Sequence, residues 1–233
     1  MRFIVAFLAF IALSPMPSAQ AGEMPVVVEL YTSQGCSSCP PADDILTELA
    51  KRDNVIALAL HVDYWDYLGW KDEFANAAFS RRQRAYAAAG GRHTVYTPQM
   101  IVQGHSYAVG NQLTEVKRAV SMHGNDDGNV ALTLNLSGGQ LTITARALTQ
   151  NVGSSVIQVV RYMPHKTVLI KAGENAGRKV VYSNVVTDWT PVLRWNGQGE
   201  VTTSTQISGD EPVVVLVQNE DFGPIVGAQR LFP

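Results

Sequence analysis

The stretch Val26-Val27-Val28-Glu29-Leu30-Tyr31-Thr32-Ser33-Gln34-Gly35-Cys36-Ser37-Ser38-Cys39-Pro40-Pro41 sets the reading of the whole chain. Val26 to Tyr31 are mostly β-branched and apolar, as a buried strand requires, and Thr32 to Gly35 make the turn that follows it. Pro40 and Pro41 suit the first turn of a helix, where a missing N–H costs little, and Ile45, Leu46 and Leu49 supply an apolar stripe behind them. The chain has only two cysteines, and both stand where strand hands over to helix. Residues three apart on a helix share a face, so Cys36 and Cys39 can close a small disulfide and reopen it. Free N–H groups and the positive end of the helix dipole favour a thiolate there. This marks Cys36 as the nucleophile and Cys39, one turn deeper, as the thiol that resolves a mixed disulfide.

Upstream, Met1-Arg2 precedes an apolar run from Phe3 to Leu13, then Ser14-Pro15-Met16-Pro17 and Ala19-Gln20-Ala21. The pattern predicts a signal peptide over residues 1–21 and a secreted or periplasmic mature protein. The run is 11 residues long, against roughly 20 for a bilayer span, so no membrane span is expected after cleavage. Without Arg2 the chain carries 17 basic and 20 acidic residues, a balance that offers no basic patch to nucleic acid. The remaining 212 of 233 residues suffice for two ordinary domains.

Downstream, Val55 to Val62 read as a second buried strand, completing a βαβ unit. After Asp63 come Tyr64, Trp65, Tyr67 and Trp70, then a helical stretch with Phe74, Ala78, Phe79 and Tyr86 that Gly90-Gly91 ends. Thr97-Pro98 opens a hairpin through Gln99 to Val102 and Tyr107 to Val109, and Leu113, Val116 and Val120 mark a last helix with Asn111 as candidate cap. At Gly124 to Asn129 the composition turns to Gly, Asn and Asp, and the period becomes two. Strands are predicted over Val130 to Leu136, Leu141 to Ala147, Val156 to Tyr162, Thr167 to Ile170, Lys179 to Thr187, Val192 to Trp195, Val213 to Gln218 and Ile225 to Gln229.

Strand, CxxC, helix, strand, helix and a proline before a hairpin resemble the thioredoxin superfamily over residues 25–123. The resemblance implies a cis Pro98 beside the dithiol, a Thr97 backbone that contacts substrate, and a Glu29 carboxylate that helps deprotonate the deeper cysteine. Ser37-Ser38 stand where thioredoxin itself has Gly-Pro. A longer resemblance is to the exported, thioredoxin-like bacterial family called domain of unknown function 1223. It is carried by Glu29 to Asp43, His61-Val62-Asp63-Tyr64-Trp65-Asp66, Tyr96-Thr97-Pro98-Gln99 and Glu174-Asn175-Ala176-Gly177. The fold class expected is an α/β thioredoxin-like N-terminal domain over residues 22–125, followed by an all-β, sandwich-like domain over residues 128–233.

These readings favour an enzyme: an exported thiol–disulfide oxidoreductase that needs no cofactor and acts on the thiols or disulfides of exported proteins. Cys36, Cys39 and Glu29 are its candidate catalytic residues. Thr97 and Pro98 are candidates for substrate binding, and Trp65 either lines the substrate groove or covers the core. Two alternatives stay open. The same cysteines with His61 or His105 suit a Cu(I)-binding metallochaperone, and an inert disulfide would leave an interaction scaffold. The direction of electron flow and the oligomeric state are not fixed by these residues.

Overall fold

The computed structural model describes residues 24–232, so the leader expected over residues 1–21 lies outside the described residues. The first half runs β1 (Val26–Thr32), α1 (Pro40–Ala50), β2 (Val55–His61), a 3-10 turn (Asp66–Leu68), α2 (Ala77–Ala89), β3 (Gln99–Val102), β4 (Ser106–Val109) and α3 (Leu113–Met122). The second half is β5 (Val130–Ser137), β6 (Gln140–Ala147), β7 (Ser155–Leu169), β8 (Lys179–Trp195), β9 (Glu200–Gln206), β10 (Val213–Asn219) and β11 (Ile225–Leu231). Phe74 precedes α2 rather than joining it, because Asn76 caps that helix by accepting from the Ala78 amide at 2.9 Å. The cap position of α3 is Gln112, one residue after the expected Asn111.

Four short strands read from the second half fuse into two long ones, β7 and β8. They pair antiparallel, with register shifts between Ile157 and Gln158 and between Arg161 and Tyr162. Such irregularities let a long strand bend while keeping most of its ladder. β9 escapes a hydrophobicity reading because Val-Thr-Thr-Ser-Thr has no apolar alternation.

The expected architecture needs correction here. The protein is mostly β, and it is not a thioredoxin-like α/β domain followed by a β domain. One eight-stranded mixed sheet, ordered β11-β10-β7-β8-β2-β1-β3-β4, runs through both halves, and a three-stranded sheet, β5-β6-β9, packs beside it. Periodicity reports that a strand exists and which face it buries, but not which strand lies next to it. The join is made by β8 lying parallel to β2 at Ala59 and Val185, where the Asn184 side chain also donates to the Ala57 carbonyl at 2.8 Å. The sheet curls until the turn after β3 meets β11: Gln103 accepts from the Val27 amide at 3.0 Å and donates to the Ile225 carbonyl at 2.9 Å.

Alternation along the strands assigns the faces. Val26, Val28 and Leu30 of β1 pack with Leu46 and Leu49 of α1 and Val116 and Val120 of α3. Val27 and Tyr31 face the other way, into a cluster that includes Leu58, Phe79 and Tyr86 together with Val160, Val214 and Leu216 from the second half. Val213, Val215 and Val217 of β10 pack with Leu141 and Ile143 of β6.

Candidate functional site

Cys36 and Cys39 form a disulfide at the start of α1. Cys39 occupies the N-cap with helical backbone angles, and its carbonyl accepts from the Ala42 amide at 2.8 Å and the Asp43 amide at 3.1 Å. The preceding loop closes locally, through the Cys36 amide on the Ser33 carbonyl at 3.1 Å and the Gly35 amide on the Ser33 hydroxyl at 3.1 Å. Cys39 is fully buried, Cys36 keeps 5% of its surface, and Ser37 and Ser38 are exposed. The opening onto Cys36 is narrower than a helix start suggests, because side chains remote in sequence fasten its loop.

Asn175, in the turn between β7 and β8, donates through Nδ2 to the Gln34 carbonyl at 2.9 Å and the Cys36 carbonyl at 2.8 Å. Trp70 Nε1 donates to Gln34 Oε1 at 2.7 Å, and the Gln34 amide donates to Asp72 Oδ2 at 2.8 Å. The same Asp72 oxygen lies 2.7 Å from His61 Nδ1, at the end of β2. That contact engages Nδ1 of the ring and leaves His61 Nε2 buried without a hydrogen-bond partner. On α1, Asp43 Oδ1 accepts from the Thr32 hydroxyl at 2.9 Å. Burial pushes the Asp43 carboxyl up to about 7, against the opposing pull of His61 and the Thr32 hydrogen bond; Asp72 and Asp44 add to the rise.

Thr97, Pro98 and Trp65 gather on the same side. The Thr97–Pro98 peptide bond is cis. Trp65 Nε1 donates to Thr97 Oγ1 at 2.7 Å, and the Trp65 backbone lies against Gly35, where an added Cβ would sit 3.3 Å from its carbonyl oxygen. Gly110 is wedged between Pro98 and Ala42 of α1, where an added Cβ would sit 3.0 Å from the Pro98 ring and 3.2 Å from the Ala42 methyl. Tyr67, 76% exposed, stacks on Trp65 at 6.4 Å.

Glu29 does not join this group. It shares the face of β1 with Val27 and Tyr31, opposite α1. There Arg82 binds it through Nε at 2.7 Å and Nη2 at 2.9 Å, and Tyr86 and Tyr31 donate to it at 2.7 and 3.0 Å. Of the histidines named for copper, His61 is buried against Asp72, and His105 lies against the ring of His123 at 4.9 Å. Among the described residues, no group of three or more His, Cys, Asp or Glu is arranged to hold a metal ion.

The family described as protein of unknown function (DUF1223) matches residues 27–218. The chain belongs to this family. A protein of Agrobacterium tumefaciens solved by crystallography is 32% identical to this DUF1223 chain, with a TM-score of 0.77 over 92% of this chain and 96% of that one. HBP35 of Porphyromonas gingivalis is 15% identical, with a TM-score of 0.63 over 90% and 75% of the two chains, a likeness of fold alone. No protein of curated function matches the DUF1223 chain.

Sequence reasoning assigned no role to Asp43, Asp72, Gln34 or Asn175. For Asp43 a signal existed: it falls on the buried stripe of α1 with Ala42, Leu46 and Leu49, a place where a lone carboxylate is costly. Asn175 is marked only by its place in the Glu174–Gly177 stretch of the family resemblance and Asp72 by nothing, since both are brought in from turns. In this DUF1223 protein Asn175→Ala is expected to lower stability by about 2 kcal/mol, because two carbonyls of a buried loop lose their donor. Urea unfolding of the oxidised protein measures it, and a loss below about 0.5 kcal/mol would show that water replaces the amide without cost.

Proposed function

We propose that the protein is an exported thiol–disulfide oxidoreductase working through the Cys36–Cys39 pair. One observation carries the reading: the chain's two cysteines are bonded to each other at the start of α1, with Cys36 at a small opening and Cys39 sealed behind it. That asymmetry separates an attacked sulfur from a resolving one. A partner thiolate attacks Cys36 Sγ, the Cys36–Cys39 bond breaks with its electron pair on Cys39, and a mixed disulfide forms. A second partner thiolate then attacks the partner's sulfur in that bond, releasing oxidised partner and a Cys36 thiolate that the helix N-terminus favours. Run in reverse, reduced Cys36 attacks a partner disulfide and Cys39 resolves it.

The exposed Tyr67 stacked on a half-buried Trp65, with the Thr97–Pro98 turn beside them, suits an extended partner segment lying across the disulfide. The apolar leader-like run at residues 3–13 supports an oxidising compartment, where such a bond persists.

Insulin, with its accessible disulfides, provides the test. Reduced Cys39→Ser protein should accumulate a thiol-cleavable adduct with an insulin chain on non-reducing gels, whereas Cys36→Ser should form none. Equal adducts from both variants, or none from either, would refute the assignment.

A further inference from the structure

Behind the disulfide lies a buried array that the exchange chemistry above does not use. Asp43, His61, Gln34 and Asn175 are all nine-tenths or more buried, and each keeps one polar atom without a partner: Asp43 Oδ2, His61 Nε2, Gln34 Nε2 and Asn175 Oδ1. A buried polar atom left unpaired costs about 1–3 kcal/mol, so four around one loop call for an explanation. His61 has its other nitrogen on Asp72, and its ring is boxed by Phe74 at 5.1 Å and Tyr182 at 4.9 Å, so it presents a fixed edge. Asp43 has its other oxygen on Thr32. It also stands one helical turn after Cys39, and the Asp43 amide bonded to the Cys39 carbonyl puts the two side chains on one face of α1, both sealed from solvent.

We infer that Asp43, backed by the His61–Asp72 pair, stores the proton that the dithiol gives up and takes back. The inference rests on the exchange reading above. When the Cys36–Cys39 bond opens, its electron pair leaves on Cys39 Sγ, in a site where a bare thiolate is poorly solvated. Asp43 passes its proton to that sulfur and becomes a carboxylate, which His61 stabilises. When the bond closes, the Cys39 thiol returns the proton to Asp43, and the resulting thiolate attacks the mixed disulfide at Cys36. The partner thiols supply the two electrons and are oxidised to a disulfide.

The groups that face Asp43 set its readiness. Thr32 on β1 and His61 on β2 favour the carboxylate, whereas Asp72, Asp44 and burial favour the acid, and Tyr182 on β8, beside Asp43, Asp72 and Glu73, stays protonated through the working range. A carboxyl brought to about 7 in this way can both give and accept a proton near neutrality. Asp43 acts on the Cys39 sulfur itself, as its proton donor and acceptor, and because it is also part of the core its test needs a readout that packing alone would not move.

That readout is the pH profile for opening the oxidised disulfide with dithiothreitol, divided by the thiolate fraction of the reagent. In the unaltered protein the normalised rate should fall as pH rises through about 7, as the acid is lost. Asp43→Asn should flatten the profile and slow the reaction below pH 6 at least about tenfold, the lower end of general-acid effects. His61→Gln should move the inflection to higher pH, because it removes the group that favours the carboxylate. A flat profile in the unaltered protein, an Asp43→Asn profile equal to it, or an unmoved inflection in His61→Gln would overturn the inference. Failure of the exchange reading would appear elsewhere, as absence of the insulin adduct.

Discussion

Glu29→Ala is expected to destabilise the protein by about 3–5 kcal/mol, the usual cost of leaving one partner of a buried ion pair behind. Glu29 is fully buried and satisfies the Arg82 guanidinium together with the hydroxyls of Tyr86 and Tyr31. Arg82 in turn donates to Gln218 of β10 at 3.0 Å and lies over the Trp189 ring at 3.8 Å, so the array ties β1, α2, β8 and β10. Removing the carboxylate strands a cation in a site that cannot hydrate it. A Glu29→Met, Arg82→Met double variant should recover most of the loss, because it removes both charges and fills the space with apolar atoms. Guanidinium unfolding curves measure both effects, and a loss under about 1 kcal/mol for Glu29→Ala would mean that water reaches the site. Because Glu29 lies across the sheet from α1, Glu29→Gln should leave the rate of disulfide opening unchanged. A slowed rate would return this residue to the redox chemistry.

The second large effect is a pH dependence of stability that belongs to Asp43. Its carboxyl stands at about 7 in the folded protein against 3.8 when free, because burial disfavours the charge. Between those values the folded state holds a proton that the unfolded state has released, so stability falls as pH rises through the window and is lowest above it. At about 1.4 kcal/mol per unit, this group contributes on the order of 4 kcal/mol between pH 4 and pH 8. Asp43→Asn keeps an acceptor for Thr32 and removes the proton. It should therefore match the unaltered protein near pH 4 and exceed it in stability at pH 8. Taking the difference between the two proteins cancels the slopes of all other groups. A difference that does not change with pH would mean that Asp43 is solvated in the folded state.

Local order was well written in the residues. The apolar run at Val26 to Tyr31, the prolines after Cys39, and the glycines after α2 each act over a few positions, and β1, α1 and α2 follow from them. What pattern could not convey is adjacency. Val185 gives no hint in its own neighbourhood that it will lie beside Ala59, because strand pairing across 126 residues is decided by which edges remain open after the core forms. The candidate site divides in the same way. Cys36, Cys39, Trp65, Thr97 and Pro98 were marked by chemistry or by resemblance, and they meet around one loop. Glu29 is drawn in by resemblance; period-two alternation groups it with Val27 and Tyr31, and the packing of α1 on the opposite face of β1 is what separates it from the cysteines. Asp72 and Asn175 act through carbonyls, amides and a ring nitrogen of other segments, and such contacts leave no periodic trace.

The apolar cluster on the face of β1 opposite α1 takes side chains from before and after the 124–129 turn. Loss of either portion would expose this cluster to water, so the two are expected to unfold together on heating. Replacing the later portion with an unrelated module would strip the cover from Leu58 and Leu60. The scaffold under the two-cysteine loop thus depends on strands far from it in sequence.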